Sequence, residues 1–373
     1  MDIASRRISG AHVNITEDCN FRCRYCFAAH NPASMDWPTL MASIDWLLDR
    51  AGSGLHVTWF GGEPLLEADV MLAGADYLVA EGKRRGIQTS SGAVTNGSLL
   101  TPALVQRLRE ADIRLLYSYD GPHSQAELRG GDVEQIEGNL RQCLEARIPT
   151  NVAMQVAAGH TKHLATDYKH VRELGVAHVA LNPVVHCYEP FTPEDWEQIA
   201  GALGVITDYE YDHMMAGSPC GYTQLSGQLD AVLRVARGQD LKGRRTDYAC
   251  GACKGSLAIW PNGDITPCQQ MSCAGGFEHW RLGNVHTGEF DEGLRQQCVT
   301  EAVDAWVDCR ECGVLRCAPC RTVNRAVMGA ELDRAPDLCR WQRAMYTEAV
   351  RLHNRLADAG YYAPRPREAV MAK

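Results

Sequence analysis

Three cysteines near the start of the chain have a spacing that suits an iron–sulfur cluster. Cys19, Cys23 and Cys26 form the pattern C-x3-C-x2-C. Three thiolates can hold a four-iron cube at three corners and leave the fourth iron without a protein ligand. Such an open iron can bind and reduce a small molecule, which a fully ligated electron-transfer cluster cannot easily do. The spacing therefore indicates a reactive cluster, and a zinc site at the same thiols is the alternative.

More cysteines crowd the C-terminal part of the chain. The protein has 16 cysteines, and its first residues lack the apolar segment of a secretory signal. Disulfides explain so many thiols poorly, because the cytosol keeps them reduced. From Cys250 onward few long periodic segments occur, so we expect bound metal to supply the order that a small apolar core cannot. Paired C-x2-C spacing keeps structural zinc open as the rival interpretation.

The first half of the chain alternates strand-like and helix-like segments, which predicts βαβ units and a parallel sheet. Asp36, Thr101 and Asp132 are placed as N-caps of three of the helices. Six units are too few for a closed eight-stranded barrel, so the expected fold is α/β, an open, partial (β/α)6 TIM-like barrel. The predicted strands are His12–Thr16, Leu55–Phe60, Thr89–Thr95, Ile113–Tyr119, Asn151–Ala157 and Ala177–Asn182.

Polar motifs follow five of these strands directly. In a β/α barrel the carboxyl ends of the strands form one rim, where active sites lie. We therefore expect the motifs to converge on one site. They are Asp18–Phe27, Gly61–Pro64, Thr95–Gly97, Asp120–Pro122 and Asn182–Pro183.

Length and composition indicate an ordered protein of two domains. The chain has 373 residues, 45% of them hydrophobic, and a formal net charge of −9. The negative charge argues against nucleic acid as a partner, and no apolar run is long enough to cross a membrane. We expect a cytoplasmic protein. The predicted divisions are a barrel at 10–215, a bridge at 216–248, a cysteine-rich domain at 249–345, and a final helix and tail at 346–373.

The cysteine triplet, Tyr25 before its last thiol, the GGEP run at 61–64, and the motifs at 95–97 and 118–122 together resemble the radical S-adenosylmethionine (SAM) superfamily. The resemblance covers roughly residues 10–215. It implies a [4Fe-4S] cluster whose open iron chelates SAM, and one-electron cleavage of SAM to methionine and a 5′-deoxyadenosyl radical.

The resemblance also implies roles for individual residues. Tyr25 would pack near the adenine, and Glu63 with neighbouring backbone would hold the SAM amino group. Ser118 and Asp120 would contact the ribose or line the substrate cavity, and Arg129 would grip the SAM carboxylate with paired hydrogen bonds. The expected cofactor-binding residues are Tyr25, Gly61, Gly62, Glu63, Pro64, Thr95, Asn96, Ser118, Asp120, Arg129, Leu181 and Asn182.

The second half resembles a SPASM domain, the two-cluster extension of many peptide-modifying radical SAM enzymes. Cys253, Gly263 and Cys268 match the start of its pattern, although two later cysteine gaps are one residue shorter than usual. The resemblance implies two auxiliary [4Fe-4S] clusters, three in all. Their ligands would be Cys250, Cys253, Cys268 and Cys320 for the first, and Cys309, Cys312, Cys317 and Cys339 for the second.

Five cysteines remain outside these ligand sets. Cys143 fits a helical pattern and is expected to be a small buried apolar residue. Cys187 and Cys220 are expected to be structural or, as the other interpretation, to face the cavity and give a hydrogen atom to a substrate radical. Cys273 and Cys298 are the alternates if the ligand assignment is off.

The resembling subgroup matures peptides and sulfatases, so we expect a radical oxidoreductase that installs a crosslink on a ribosomally made precursor peptide (a RiPP maturase). Gln269 stands where sulfatase maturases have a basic aspartate, which disfavours that reaction. Asp264, Asp120 and Tyr119 are the candidate bases. Peptide epimerisation, or radical oxidation or rearrangement of a small sugar or amino-alcohol metabolite, is the alternative reaction. A zinc scaffold or an electron carrier is the non-enzyme reading.

Two kinds of protein partner follow from the expected chemistry. An external one-electron reductant of the flavodoxin or ferredoxin type would supply the electron. The chain begins only about ten residues before its first predicted strand. A winged-helix leader-binding domain is therefore not expected, and a separate leader-binding protein or the bridge would bind any leader.

Overall fold

A nine-stranded sheet forms the centre of the protein. The computed structural model describes residues 6–239, 250–272, 276–305, 309, 312–317 and 319–362. The strand order is β6-β5-β4-β3-β2-β1-β7-β8-β9. The strands are β1 Ile8–Thr16, β2 Ala51–Gly61, β3 Gln88–Thr95, β4 Ile113–Ser118, β5 Thr150–Val156, β6 Val179–Pro183, β7 Ser256–Ile259, β8 Asp264–Thr266 and β9 Gly283–Asn284.

Helices connect the first six strands and cover one face of the sheet. The three N-caps predicted from sequence are confirmed, and Asp36 Oδ1 accepts the Thr39 N–H at 2.8 Å. The helices are α1 Trp37–Arg50, α2 Ala68–Arg85, α3 Pro102–Glu110, α4 Gln125–Leu128, α5 Val133–Glu145, α6 Leu164–Glu173, α7 Pro193–Met215, α8 Thr223–Ala236, α9 Glu292–Ala305, α10 Arg321–Met328 and α11 Pro336–Asp358.

Strands β1 to β6 are parallel and pair in sequence order, so the predicted partial barrel is confirmed. β1 does not pair with β6, and the barrel stays open. Side chains alternate along each strand. Val13 and Val57 face the buried helical side, whereas His12 and Asn14 lie on the concave face with Phe60, the register partner of Asn14.

The cysteine-rich segment extends this same sheet. β7 runs parallel to β1, and β8 and β9 follow as antiparallel strands. The predicted hairpin turn at Trp260–Asp264 is present, with Gly263 in the left-handed region at φ 82°. Barrel and cysteine-rich region therefore share backbone hydrogen bonds, and the division at residue 249 stays a prediction.

The bridge and the final helix pack together on the barrel. α11 contacts both α7 and α8. Because it runs from Pro336 to Asp358, the predicted boundary at residue 345 falls inside the helix. Residues 240–249 of the bridge and 363–373 of the tail lie outside the described residues. None of the described helices is both long and apolar enough to cross a bilayer.

Candidate active site

The cysteine triplet occupies the loop that follows β1, at the carboxyl end of the sheet. The loop turns tightly, and the Cys26 N–H donates to the Cys23 carbonyl at 3.0 Å. The Phe21 N–H donates to Cys19 Sγ at 3.4 Å, and the Asn96 amide points at the same sulfur from 4.0 Å. The three half-buried thiols therefore sit at the predicted rim.

The donor set of this loop suits an iron–sulfur cluster. Burial, and to a smaller extent the charges of Glu63 and the other two cysteines, raise the pKa of Cys19 to about 11. Three cysteine thiols on one loop are the donor set that a [4Fe-4S] cluster with one open iron requires.

Glu63 connects the second and third strand ends. Its buried carboxylate accepts hydrogen bonds from Thr95 Oγ1 at 2.8 Å, the Asn96 N–H at 2.7 Å and the Leu65 N–H at 3.0 Å. A carboxylate has about four acceptor positions, so one remains for an ammonium group. The predicted contacts of Glu63, Thr95 and Asn96 with SAM stay predictions.

The two glycines before Glu63 are required by close packing of the rim. A Cβ on Gly61, whose φ is 142°, would lie 1.9 Å from the Thr16 carbonyl oxygen. A Cβ on Gly62 would lie 2.0 Å from the Asp18 carbonyl oxygen. The Gly62 N–H donates to Thr16 O at 2.8 Å. The absence of side chains thus brings this segment against the cysteine loop, a protein contact that exists before any ligand binds.

Burial makes Glu63 a pH-sensitive group. It raises the pKa of Glu63 from 4.5 to about 7, although the hydrogen bonds from Asn96, Thr95 and Leu65 oppose the shift. Because the pKa of Glu63 is higher in the folded than in the unfolded state, protonated Glu63 contributes its full stability below about pH 4.5. This contribution is lost as the pH rises through about 7. Urea unfolding of the SAM-free protein at pH 5 and pH 8 should therefore show that Glu63→Gln costs more stability at pH 5, by up to about 3 kcal/mol. An equal cost at both values, as expected for the exposed control Asp69→Asn, would contradict this role.

A buried ion pair joins the fourth strand end to the cysteine loop. Arg129 Nε lies 2.9 Å from Asp120 Oδ2, and both side chains are buried. Tyr25 Oη donates to the same carboxylate oxygen, and the Gln155 N–H donates to the other at 2.8 Å. Burial disfavours the charged form of Arg129, but its interactions with Asp120, Tyr25 and Cys23 outweigh burial and raise the pKa of Arg129. Any contact of Arg129 with the SAM carboxylate would use its remaining N–H groups.

The sixth strand end is held by the bridge. The Leu181 N–H donates to Gln224 Oε1 of α8 at 3.2 Å, and Gln224 Nε2 donates to the Leu181 carbonyl at 3.0 Å. The side chain thus takes the place of a neighbouring strand. The Leu181 side chain is fully buried, and Asn182 lies on the opposite, concave face in register with Gln155. Ser118 ends β4 on that face. Their predicted contacts with adenine and ribose stay predictions.

Cysteines within each predicted auxiliary set are electrostatic neighbours, and their assignment as cluster ligands stays a prediction. The charges of Cys320 and Cys250 act on the thiol of Cys268, and the charge of Cys268 acts on the thiol of Cys253. In the second set, burial is the main cause that raises the pKa of Cys317 to about 12, and the charges of three neighbouring cysteines add to the shift. Those neighbours are Cys339, Cys309 and Cys312. Both groups are rich in thiols, which is the donor chemistry of iron–sulfur clusters.

The remaining cysteines divide by position. Cys143 is buried in α5, and Cys220 is buried beside Tyr222, so Cys220 does not face the cavity. Cys220 is 5% exposed, which agrees with the structural role expected for it, and the alternative role as hydrogen-atom donor stays a prediction. Cys298 is fully buried within hydrogen-bonding reach of Cys253. Cys273 lies outside the described residues.

A cavity of about 210 Å³ lies between the rim and the cysteine-rich region. Gly61 and Gly62 border it on the barrel side, and Gln270 and Thr322 on the other. Cys187, in a left-handed conformation at φ 61°, also lines it. Its aromatic lining residues are Phe27, Phe60, Trp260 and Phe277.

None of the three bases predicted from sequence lines this cavity among the described residues. Asp264 binds Arg281 at 2.5 Å and stabilises the hairpin, and Tyr119 donates to Glu137. Asp120 is engaged by Arg129. Glu17 is instead the one carboxylate among the described lining residues. Its position directly after β1 and two residues before Cys19 was the sequence signal that could have identified it.

Residues 13–166 match the Radical SAM superfamily. The chain contains a radical SAM domain. Members of this superfamily are enzymes, so the predicted radical SAM enzyme is confirmed. Its domain brings a SAM-binding [4Fe-4S] cluster and SAM as cofactors.

Curated relatives of this radical SAM enzyme carry names of different reactions. GTP 3′,8-cyclase of Alkaliphilus oremlandii is 24% identical over 72% of this chain and 82% of its own length. Radical SAM cyclopropyl synthase TigE of Paramaledivibacter caminithermalis is 21% identical over 71% of this chain and 58% of its own.

Solved structures share the fold over nearly the whole chain. The structure of anSMEcpe with bound AdoMet has a TM-score of 0.75 at 18% identity, and covers 94% of this chain and 96% of that one. Streptococcus suis SuiB bound to precursor peptide SuiA has a TM-score of 0.59 at 16% identity, covering 90% and 76%. The predicted resemblance to SPASM-type radical SAM proteins is confirmed at the level of fold.

Proposed function

We propose that this radical SAM enzyme takes a hydrogen atom from a ribosomally made precursor peptide and installs a crosslink. The observation that carries the proposal is the cavity between the predicted SAM-binding rim and the auxiliary cysteines, whose described walls carry no lysine or arginine. Glu17 is the one acid among its described lining residues. An apolar or neutral amino-acid side chain suits these walls.

The size of the cavity also supports a peptide. At about 210 Å³ it is smaller than the roughly 300–1,000 Å³ pockets that enclose whole small-molecule ligands. A side chain of a longer substrate could enter while the rest of the peptide stays outside. The solved complexes of SuiB with SuiA and of anSMEcpe with the Cp18Cys peptide show the same fold with a peptide bound.

A nucleotide is the rival substrate, since GTP 3′,8-cyclase is a relative over 72% of this chain. A triphosphate carries several negative charges and needs cations around it. The described walls of the cavity offer no lysine or arginine and one carboxylate. The charge of the site therefore favours the peptide.

The atom balance of a crosslink assigns a task to Glu17. Forming one bond between two C–H positions removes two hydrogen atoms from the peptide. One passes to the 5′-deoxyadenosyl radical and gives 5′-deoxyadenosine. The other leaves as a proton and an electron, and Glu17 is positioned to accept the proton. A cluster held by Cys250, Cys253, Cys268 and Cys320 would accept the electron.

The full proposal includes three [4Fe-4S] clusters and two kinds of partner. The two auxiliary clusters are supported by the thiol groups around Cys268 and Cys317. A flavodoxin- or ferredoxin-type protein would reduce the cluster at the rim. A separate leader-binding protein would present the precursor.

Isotope transfer tests the substrate directly. Reconstituted enzyme would be given SAM, dithionite and a side-chain-deuterated peptide encoded by a short reading frame next to this gene, with GTP in a parallel reaction. We expect deuterium in 5′-deoxyadenosine and a peptide lighter by two hydrogen atoms. Turnover of GTP with no deuterium transfer from any such peptide would overturn the proposal.

Replacing Glu17 tests the proton acceptor. Glu17→Gln should slow formation of the crosslinked peptide about 10²–10⁴-fold, because the amide cannot take a proton. SAM cleavage should continue, since hydrogen abstraction precedes the proton step. Mass spectrometry of peptide and 5′-deoxyadenosine separates the two, and Glu110→Gln on distant α3 is the control. Equal loss of both products would place Glu17 elsewhere in the mechanism.

Peptide epimerisation is a second candidate because Cys187 lines the cavity. Burial, and to a smaller extent the charge of Cys26, raises the pKa of Cys187. The side chain therefore stays in the S–H form, which can donate a hydrogen atom. In deuterated water an epimerase would leave one deuterium in a peptide that has lost no hydrogen. Cys187→Ala should abolish that incorporation. Deuterium uptake unchanged in the variant would exclude this role.

A further inference from the structure

A hydrogen-bonded pair connects the cavity to an auxiliary cysteine. Thr322 lies in the first turn of α10, two residues after Cys320, and is 5% exposed. Its Oγ1 is 3.0 Å from Cys320 Sγ and 2.6 Å from Gln270 Oε1. Thr322 and Gln270 both line the cavity. The backbone N–H of Gln270 also donates to Cys268. Gln270 Oε1 also lies 3.8 Å from Cys320 Sγ, so a molecule in the cavity could contact two side chains that neighbour this sulfur.

The Thr322 hydroxyl has one proton and two acceptors within reach. If Cys320 is a thiolate that holds iron, its sulfur can only accept a hydrogen bond. The hydroxyl can then donate either to this sulfur or to the Gln270 oxygen, but not to both. A hydrogen bond to the sulfur stabilises the reduced, more negative state and raises the reduction potential.

The orientation of the Gln270 amide decides between the two acceptors. With its oxygen toward Thr322, the amide takes the hydroxyl proton. Turned by half a rotation, which alters its shape little, the amide presents its NH2 group to Oγ1 instead. The hydroxyl must then donate to Cys320. A substrate N–H that binds the Gln270 oxygen from the cavity would select this second orientation.

We propose that Gln270 and Thr322 are positioning residues that couple occupancy of the cavity to the hydrogen bond on Cys320. A substrate amide in the cavity thereby makes the first auxiliary centre a better electron acceptor. The inference rests on the proposed function, because it takes Cys320 as a cluster ligand. It concerns regulation of the electron-accepting step and needs no additional reactant.

Redox titration of the substrate-free protein tests this coupling. The full chain with Cys19→Ala, Cys23→Ala and Cys26→Ala, reconstituted anaerobically, isolates the auxiliary centres, and electron resonance reports the midpoint potential. In the substrate-free protein the Thr322 hydroxyl donates to Gln270, so Thr322→Val, which keeps the side-chain shape, should leave the potential near the parental value. Gln270→Leu should raise it, because the hydroxyl keeps only the sulfur as an acceptor. Adding Thr322→Val to Gln270→Leu should cancel the rise.

Two outcomes overturn the coupling: Gln270→Leu with the parental potential, or a raised potential that persists when Thr322→Val is added to Gln270→Leu. A merely structural role of Gln270 would not make its effect depend on the Thr322 hydroxyl, and Thr322→Ser added to Gln270→Leu should keep the rise. The iron content of Cys320→Ala in the same parent tests the underlying assignment separately. Full iron retention there would refute Cys320 as a ligand, and with it the proposed electron acceptor, whatever the potentials are.

Discussion

Replacing Cys19, Cys23 and Cys26 together with alanine should abolish reductive cleavage of SAM. These three thiols share one loop at the rim and are the predicted ligands of the SAM-binding cluster. If the three proposed clusters are present, the variant should also lose about a third of the bound iron, since about four of roughly twelve iron atoms would have no ligands. Anaerobic reconstitution, iron analysis and chromatography of 5′-deoxyadenosine measure both effects.

Cys143→Ala is the matched control for this experiment. Cys143 is fully buried in α5, away from every predicted ligand set. It should keep its iron and its SAM cleavage, although the smaller side chain will cost some stability. SAM cleavage that persists in the triple variant would show that the reactive cluster lies elsewhere.

Removing Arg129 should produce the largest loss of stability from a single substitution among those considered. Arg129→Ala leaves Asp120 buried and charged, and breaking such a pair costs about 3–5 kcal/mol. Tyr25 loses its shared partner, and the cysteine loop loses a support. Thermal and urea unfolding of the cluster-free full chain, followed by circular dichroism, would measure the effect without changes in iron content.

An exposed ion pair provides the comparison. Arg107 lies 2.8 Å from Asp69, but their side chains are 50% and 88% exposed. Arg107→Ala should therefore cost only about 0–1 kcal/mol. Asp120→Asn combined with Arg129→Met should recover part of the loss, since no unpaired charge remains. Equal effects of Arg129→Ala and Arg107→Ala would show that the buried pair is not a stabilising contact.

Sequence periodicity alone identified the six barrel strands to within a few residues, together with the helix caps at Asp36, Thr101 and Asp132. These features depend on neighbours along the chain, such as the Thr39 N–H that Asp36 accepts. Cysteine spacing likewise indicated the triplet loop, and the resemblance to the SPASM pattern predicted both auxiliary groups. The same reasoning could not identify the base, because Asp120 and Asp264 are neutralised by Arg129 and Arg281, which their local sequence does not reveal.

The sequence by itself determined what local contacts control: strands, helices, caps and the thiols that can bind iron. The tertiary structure alone decided which surfaces meet. It joined β7 to β1, enclosed Cys220, placed Cys298 beside Cys253, and brought Glu17 to the cavity edge opposite Gln270. The physical reason is that these contacts join residues far apart in the chain, and their free energy depends on burial and on partners that only folding brings together.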